Sequence, residues 1–168
     1  MYILSLSGRT GAARLNTEGE YLAMSAIDIV KAGMAAWSAA QWDTLTSLLT
    51  DDFQFSGPVP QPMSKAEFIG LGKALLTAIP DWNLNAHDFR EEGDKVYVTD
   101  GITGTHTGVL AAVPGVPPVP PTGKSIHLTP SAEVYTIRGN QVSRLEITSP
   151  AGGVVEIYAQ VGAPLPPM

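Results

Sequence analysis

The hydrophobic pattern of this 168-residue chain passes at Pro80 from a mainly helical period to a strand period that it then keeps, and no other feature restricts its fold as much. Upstream of Pro80 the apolar residues recur every three or four positions, the period of a helix face; downstream they alternate, the period of a strand. Ile27, Val30, Met34 and Trp37 form the first helical stripe, behind the capping sequence Ser25-Ala26-Ile27-Asp28. Asp43 is placed to cap a second, short helix carrying Leu45, Leu48 and Leu49. Residues 52–56 then alternate as a first strand, stopped by Gly57-Pro58. Ser64 and Glu67 make a fuller capping box, and Phe68, Leu71, Leu75 and Ile79 continue it until Pro80, which has no N–H for the helix ladder.

Beyond Pro80 the alternation predicts strands over residues 82–89, 95–108, 125–137 and 142–149. Turns fall at Glu91-Glu92-Gly93-Asp94 and Arg138-Gly139-Asn140, and the proline-rich residues 113–121 are a long hairpin loop, because a central strand cannot accommodate them. Residues 152–160 suit either a helix or a strand. Helices followed by long antiparallel strands predict an α+β domain, with the helices packed on one face of a strongly curved antiparallel sheet. Such a cone encloses an apolar pocket.

Several classes of function drop out early. The net charge of -6 argues against tracking a nucleic-acid backbone. With no cysteine there is no disulfide frame, thiol nucleophile or thiolate-bound metal. His87, His106 and His127 are dispersed at no metal-ligand spacing, and no glycine-rich loop precedes a helix, so neither metal nor cofactor is expected. No apolar run approaches the ~20 residues of a membrane span. Residues 1–23 read as an extension, disordered or upstream of the natural start, with no secretory signal; the domain is placed at 24–162, and 163–168 form a proline-rich tail. The expected location is cytoplasmic.

Five motifs carry a likeness to a known family. In order they are residues 50–58 (Thr-Asp-Asp-Phe-Gln-Phe-Ser-Gly-Pro), Ile79-Pro80-Asp81-Trp82, Gly104-Thr105-His106-Thr107-Gly108, Pro121-Thr122-Gly123-Lys124 and Glu133-Val134-Tyr135. At this spacing the chain resembles the SnoaL-like polyketide cyclase branch of the NTF2-like superfamily over nearly the whole domain. The resemblance implies an NTF2-like α+β cone and a cofactor-free aldol-type cyclisation or isomerisation of a carbonyl-bearing apolar small molecule. It also implies a pocket Asp near the end of the last long strand, where this chain has Pro150, or Ser149 with a one-residue slip. Neither can take a proton from carbon. The acid of the neighbouring ketosteroid-isomerase branch is replaced by Gly57 before Pro58, and its tyrosine falls near Gly33 and Met34.

His106 is therefore the expected base, on the even face that it shares with Val96, Val98, Asp100 and Ile102. Asp100 stands on that face too, but ~20 Å of strand separates it from His106. Glu133 and Glu146 are the carboxylates nearest to where a replacement acid could arise. The apolar sets Ile126, Leu128, Ala132, Val134 and Leu145, Ile147 nevertheless send Glu133, Tyr135 and Glu146 outward unless a bulge intervenes. Trp37, Trp82 and Tyr135 are candidate ligand contacts, and Thr148 is a candidate donor to an enolate oxygen. Tyr97, Tyr135 and Ile137 on the outer face predict a homodimer. Two readings stay open: an enzyme resting on His106, or a small-molecule-binding or interaction module that keeps the pocket without the family's acid.

Overall fold

The structure, a computed structural model, describes residues 13–15 and 21–167, with side chains from residue 24 onward. Strand β1 (Ala13–Leu15) pairs antiparallel with β2 (Tyr21–Ala23); otherwise the expectation for residues 1–23 lies outside the described residues. Helices α1 (Ala26–Ser38), α2 (Trp42–Leu48) and α3 (Lys65–Ala78) surround β3 (Leu49–Ser56) and β4 (Met63–Ser64). Then come β5 (His87–Glu92), β6 (Lys95–Asp100), β7 (Thr103–Thr105), β8 (Ser125–His127), β9 (Ser131–Arg138) and β10 (Gln141–Thr148), followed by α4 (Val154–Gln160). The six-stranded sheet runs β4-β3-β10-β9-β6-β5. The antiparallel run expected downstream of Pro80 is present from β5 to β10, while β3 joins it parallel to β10. The sheet is mixed for that reason.

Capping sets the helix starts. The Ser25 hydroxyl accepts from Asp28 N at 3.1 Å, and Ser64 and Glu67 close a reciprocal box at the head of α3. Helix α2 starts two residues earlier than Asp43 as its cap would set it, behind Gln41 and without a side-chain cap. Phe53, Phe55 and Leu145 from the sheet meet Ile29, Ala36 and Phe68 from the helices in one core cluster. A second gathers Leu75, Ile79, Leu110, Ile126, Ile157 and Tyr158, so residues 152–160 resolve as a helix that closes the domain.

Two predicted strands are each broken in two, and both breaks matter for the site. The run 95–108 stops at Asp100 and resumes at Thr103 as β7, which pairs with β8 in a separate sheet. The run 125–137 stops at His127; Leu128, Thr129 and Pro130 lie outside any strand, and β9 starts at Ser131. Pro130 has no N–H to give a ladder, so the alternation restarts out of phase. The inward set of β9 is odd: Ser131 and Glu133 are buried, and Tyr135 and Ile137 pack against the core. This corrects the even-face register expected for Glu133 and Tyr135. It also removes Tyr135 and Ile137 from the outer face, where Tyr97 remains with the Arg90 guanidinium 4.6 Å from its ring centre. Among the described residues no helix is long and apolar enough to cross a membrane.

Candidate functional site

Three ionisable side chains enter the interior from the sheet. Asp100 ends β6, Glu133 and Tyr135 stand two apart on β9, and the pairs Val98–Glu133 and Asp100–Ser131 put them all on the helix-facing side. Asp100 is 1% and Glu133 3% exposed. Ser131 donates to Asp100 Oδ1 from its hydroxyl at 2.5 Å and from its backbone N–H at 3.3 Å. The Tyr135 hydroxyl donates to Glu133 Oε2 at 2.5 Å.

The protonation of this cluster follows from its hydrogen bonds. Counted as two ionised groups, the carboxylates leave buried Asp100 Oδ2 without any donor. Glu133 stands diagonally opposite Asp100 on the paired strands, and a proton on Glu133 supplies the missing donor. Burial first, then the bond to Asp100 and the Asp100 charge, push the Glu133 carboxyl well above its ordinary 4.5, with only the Tyr135 bond pulling the other way. The Tyr135 phenol is likewise raised by burial and by the neighbouring Glu133 charge. The result is an acid pair sharing one proton in a dry setting.

The pair borders an apolar cavity of about 140 Å³ between helices and sheet. Trp37, Phe68 and Leu71 form its helical wall, Phe53 and Phe55 its floor, and Trp82 closes one side. Gly72 on α3 admits the indoles, since a Cβ there would sit 2.8 Å from Trp37 and 2.9 Å from Trp42. The indole N–H groups of Trp37 and Trp82 are buried without a partner. Among the described residues no lysine, arginine or histidine lines the cavity, and no group of three or more His, Asp or Glu side chains could hold a metal ion.

His106 lies elsewhere. It is fully buried, yet it is absent from the cavity wall, because the break after Asp100 takes it off the β6 face. Its Nδ1 accepts from Thr122 N at 3.3 Å and lies 2.8 Å from the Thr122 hydroxyl, which fixes the neutral ring's proton on Nε2. Burial lowers its pKa below 6.5, against a weaker opposing bond to Gly108. The surrounding motif locks the end of α3. Thr107 N and Gly108 N donate to Ala78 O, and Thr105 donates through N and Oγ1 to the Asp81 carboxylate. At Gly108 a Cβ would fall 1.8 Å from Thr77 O, so only glycine permits this approach.

Of the remaining candidates, Trp37, Trp82 and Tyr135 border the cavity with Asp100 and Glu133. Glu146 projects from the outer face, where Arg144 Nε lies 3.2 Å from its Oε1, and Thr148 is exposed and outside the cavity wall. Ser131, which sequence reasoning passed over, orients Asp100. Its signal was Pro130, whose disruption of the alternation turns Ser131 inward.

The SnoaL-like domain model matches residues 30–145, most of the domain that builds this site. The chain belongs to the SnoaL-like family. Solved structures agree on the fold. A candidate SnoaL-like polyketide cyclase from Jannaschia sp. CCS1 is 20% identical, with TM-score 0.66 over 84% of this chain and 93% of that one. AclR, a candidate hydroxylase from Streptomyces galilaeus, is 20% identical, with TM-score 0.67 over 85% and 83%. A Catenulispora acidiphila protein with a ketosteroid isomerase-like fold, solved with trimethylamine, is 19% identical, with TM-score 0.60 over 83% and 98%. No curated protein matches the chain. The SnoaL-like domain is thus an α+β fold of the NTF2-like kind, and such a scaffold does not dictate one chemistry. Of the positions where the resemblance expected a tyrosine or an acid, Gly33, Met34 and Ser149 line the cavity, whereas Gly57 and Pro150 do not. Its carboxyl groups come from β6 and β9 instead.

Proposed function

We propose that this SnoaL-like protein is a cofactor-free acid–base catalyst that enolises a carbonyl-bearing apolar small molecule, leading to isomerisation or aldol-type ring closure. The observation that carries the reading is the Asp100–Glu133 pair on the wall of an otherwise apolar cavity. The ionised member removes a proton from the carbon next to the carbonyl, and the C–H electron pair moves onto the carbonyl oxygen. The protonated member donates to that oxygen as its charge develops. Return of the proton to a different carbon gives the isomer; attack of the enolate carbon on a second carbonyl closes a ring. Ser131 and Tyr135 act as positioning residues, each fixing one carboxyl group.

This reading moves the chemistry from His106 to the carboxyl pair, since His106 is absent from the cavity wall. It needs no second copy of the chain: every group invoked comes from one molecule, and the outer-face patch from which a homodimer was read has lost Tyr135 and Ile137 to the interior.

The test is loss of deuterium from the α-position of small ketones, followed by proton NMR. Asp100→Asn and Glu133→Gln should each slow exchange by ~10²–10⁴, the usual worth of a general acid or base. His106→Ala should leave the rate per folded molecule within about twofold, well below that range. Equal exchange in wild type and both carboxyl variants would overturn the assignment. Ketone binding without exchange in the wild type would instead identify a binding module.

A further inference from the structure

Resting on the acid–base reading above, we propose that the ligand is a compact molecule about one substituted ring in size that carries no anionic group. Volume comes first. The cavity holds about 140 Å³, close to the ~150 Å³ of apolar cavities that admit benzene. Its walls are already committed to packing: the Phe68 ring centre lies 5.1 Å from those of Trp37 and Phe55 and 5.2 Å from that of Phe53. Interiors at native density do not retreat by a ring's width without losing these contacts. A second fused ring therefore has to displace packed core or be left outside the cavity.

Charge narrows the class further. The lining contains two acidic side chains and no basic one. A carboxylate, phosphate or sulfonate would enter apolar space without a counter-ion, beside a pair that already carries negative charge. The carboxyl groups stand with Ser131 and Tyr135, whereas Phe53, Phe55, Phe68 and Leu71 are apolar; the other polar groups in the wall are Thr129, Ser149 and the unpartnered indole N–H groups of Trp37 and Trp82. A ligand suits this cavity by presenting its carbonyl to the acid pair and a largely apolar body to the rest.

Trp37 and Trp82 in the wall make binding readable by fluorescence. The probes are acetophenone (one ring), 2-tetralone (two), anthrone (three) and benzoate. Acetophenone should bind, 2-tetralone should bind at least tenfold more weakly, and anthrone and benzoate should give no saturable change. Leu71→Ala, which removes wall volume, should recover at least tenfold for 2-tetralone. Met34→Ala, a second wall residue, serves the same purpose if the first variant does not fold. Tighter binding of 2-tetralone, anthrone or benzoate than of acetophenone by the wild type would overturn the inference, as would binding of none of the probes. Glu133→Gln separates this claim from the catalytic one. It should lose exchange and keep the size cut-off, so a failed cut-off with intact exchange refutes only the ligand class, and the reverse refutes only the chemistry.

Discussion

Replacing Glu133 by glutamine should make the protein more stable while slowing its chemistry, and the stability gain should grow with pH. Glutamine keeps the shape of a protonated glutamic acid: its NH₂ can donate to Asp100 Oδ2, and its carbonyl can accept from Tyr135. The wild type holds a proton on a group whose ordinary value is 4.5 but which the fold raises well above that. Above 4.5 the unfolded chain releases this proton and the folded chain keeps it. With fewer protons bound in the unfolded state, unfolding becomes easier as pH rises, by about 1.4 kcal/mol per pH unit for one full proton. The contribution is thus fully present below the unfolded value and is lost as pH climbs toward the folded one. Glutamine has no proton to lose. The stability difference between variant and wild type, from urea unfolding at pH steps between ~5 and ~8, should therefore widen with a slope approaching 1.4 kcal/mol per unit. Adding Asp100→Asn should flatten the slope, since Asp100 is one of the groups that raise Glu133. A pH-independent difference, or a Glu133→Gln protein less stable at pH 8 than at pH 5 relative to wild type, would refute the shared proton.

Three further outcomes follow from the geometry. His106→Ala removes a buried ring and its bonds to Thr122, so it should cost about 1–3 kcal/mol in denaturant melts. Because the folded pKa of His106 lies below 6.5, the wild type should also lose stability as pH falls from 6.5 toward that lower value, a dependence the variant should lack. Gly108→Ala places a methyl group 1.8 Å from Thr77 O and should destabilise by at least ~3 kcal/mol, the upper end of overpacking costs, with a correspondingly lower Tm. Tyr135→Phe deletes the one bond that lowers the Glu133 pKa, so in the pH–rate profile the limb assigned to Glu133 should move to higher pH.

The sequence made the architecture legible because local signals and tertiary packing agree there. Ser64 and Glu67 form the box they spell, and Pro80 lies just past the end of α3. Val96, Val98 and Asp100 are buried on the face that their alternation indicates, and Glu146 faces outward beside Arg144. The site was less legible because strand phase carries over only within an unbroken strand. The gap at Gly101-Ile102 took His106 off the β6 face, and the gap at Leu128-Thr129-Pro130 turned Glu133 inward. Pro130 was a readable warning; Gly101 was a weaker one, since an isolated glycine also occurs within intact strands. Gly104–Gly108 looked like chemistry because it holds a histidine among hydroxyls. Its hydrogen bonds to Ala78 and Asp81 make it a clamp on the end of α3, which periodicity cannot show.

The central claim, a proton held on Glu133 beside Asp100 well above the pH at which an ordinary glutamate loses it, can be observed on the carboxyl carbon itself. Protein labelled with ¹³C at the glutamate carboxyl should be titrated by NMR alongside Glu133→Gln, which assigns the resonance by its absence. One glutamate carbon should keep the shift of a protonated acid after the others have moved to that of a carboxylate, and it should titrate at lower pH in Asp100→Asn. If every glutamate carbon, that of Glu133 included, titrates near the ordinary value of 4.5, the pair holds no shared proton and the acid–base assignment fails.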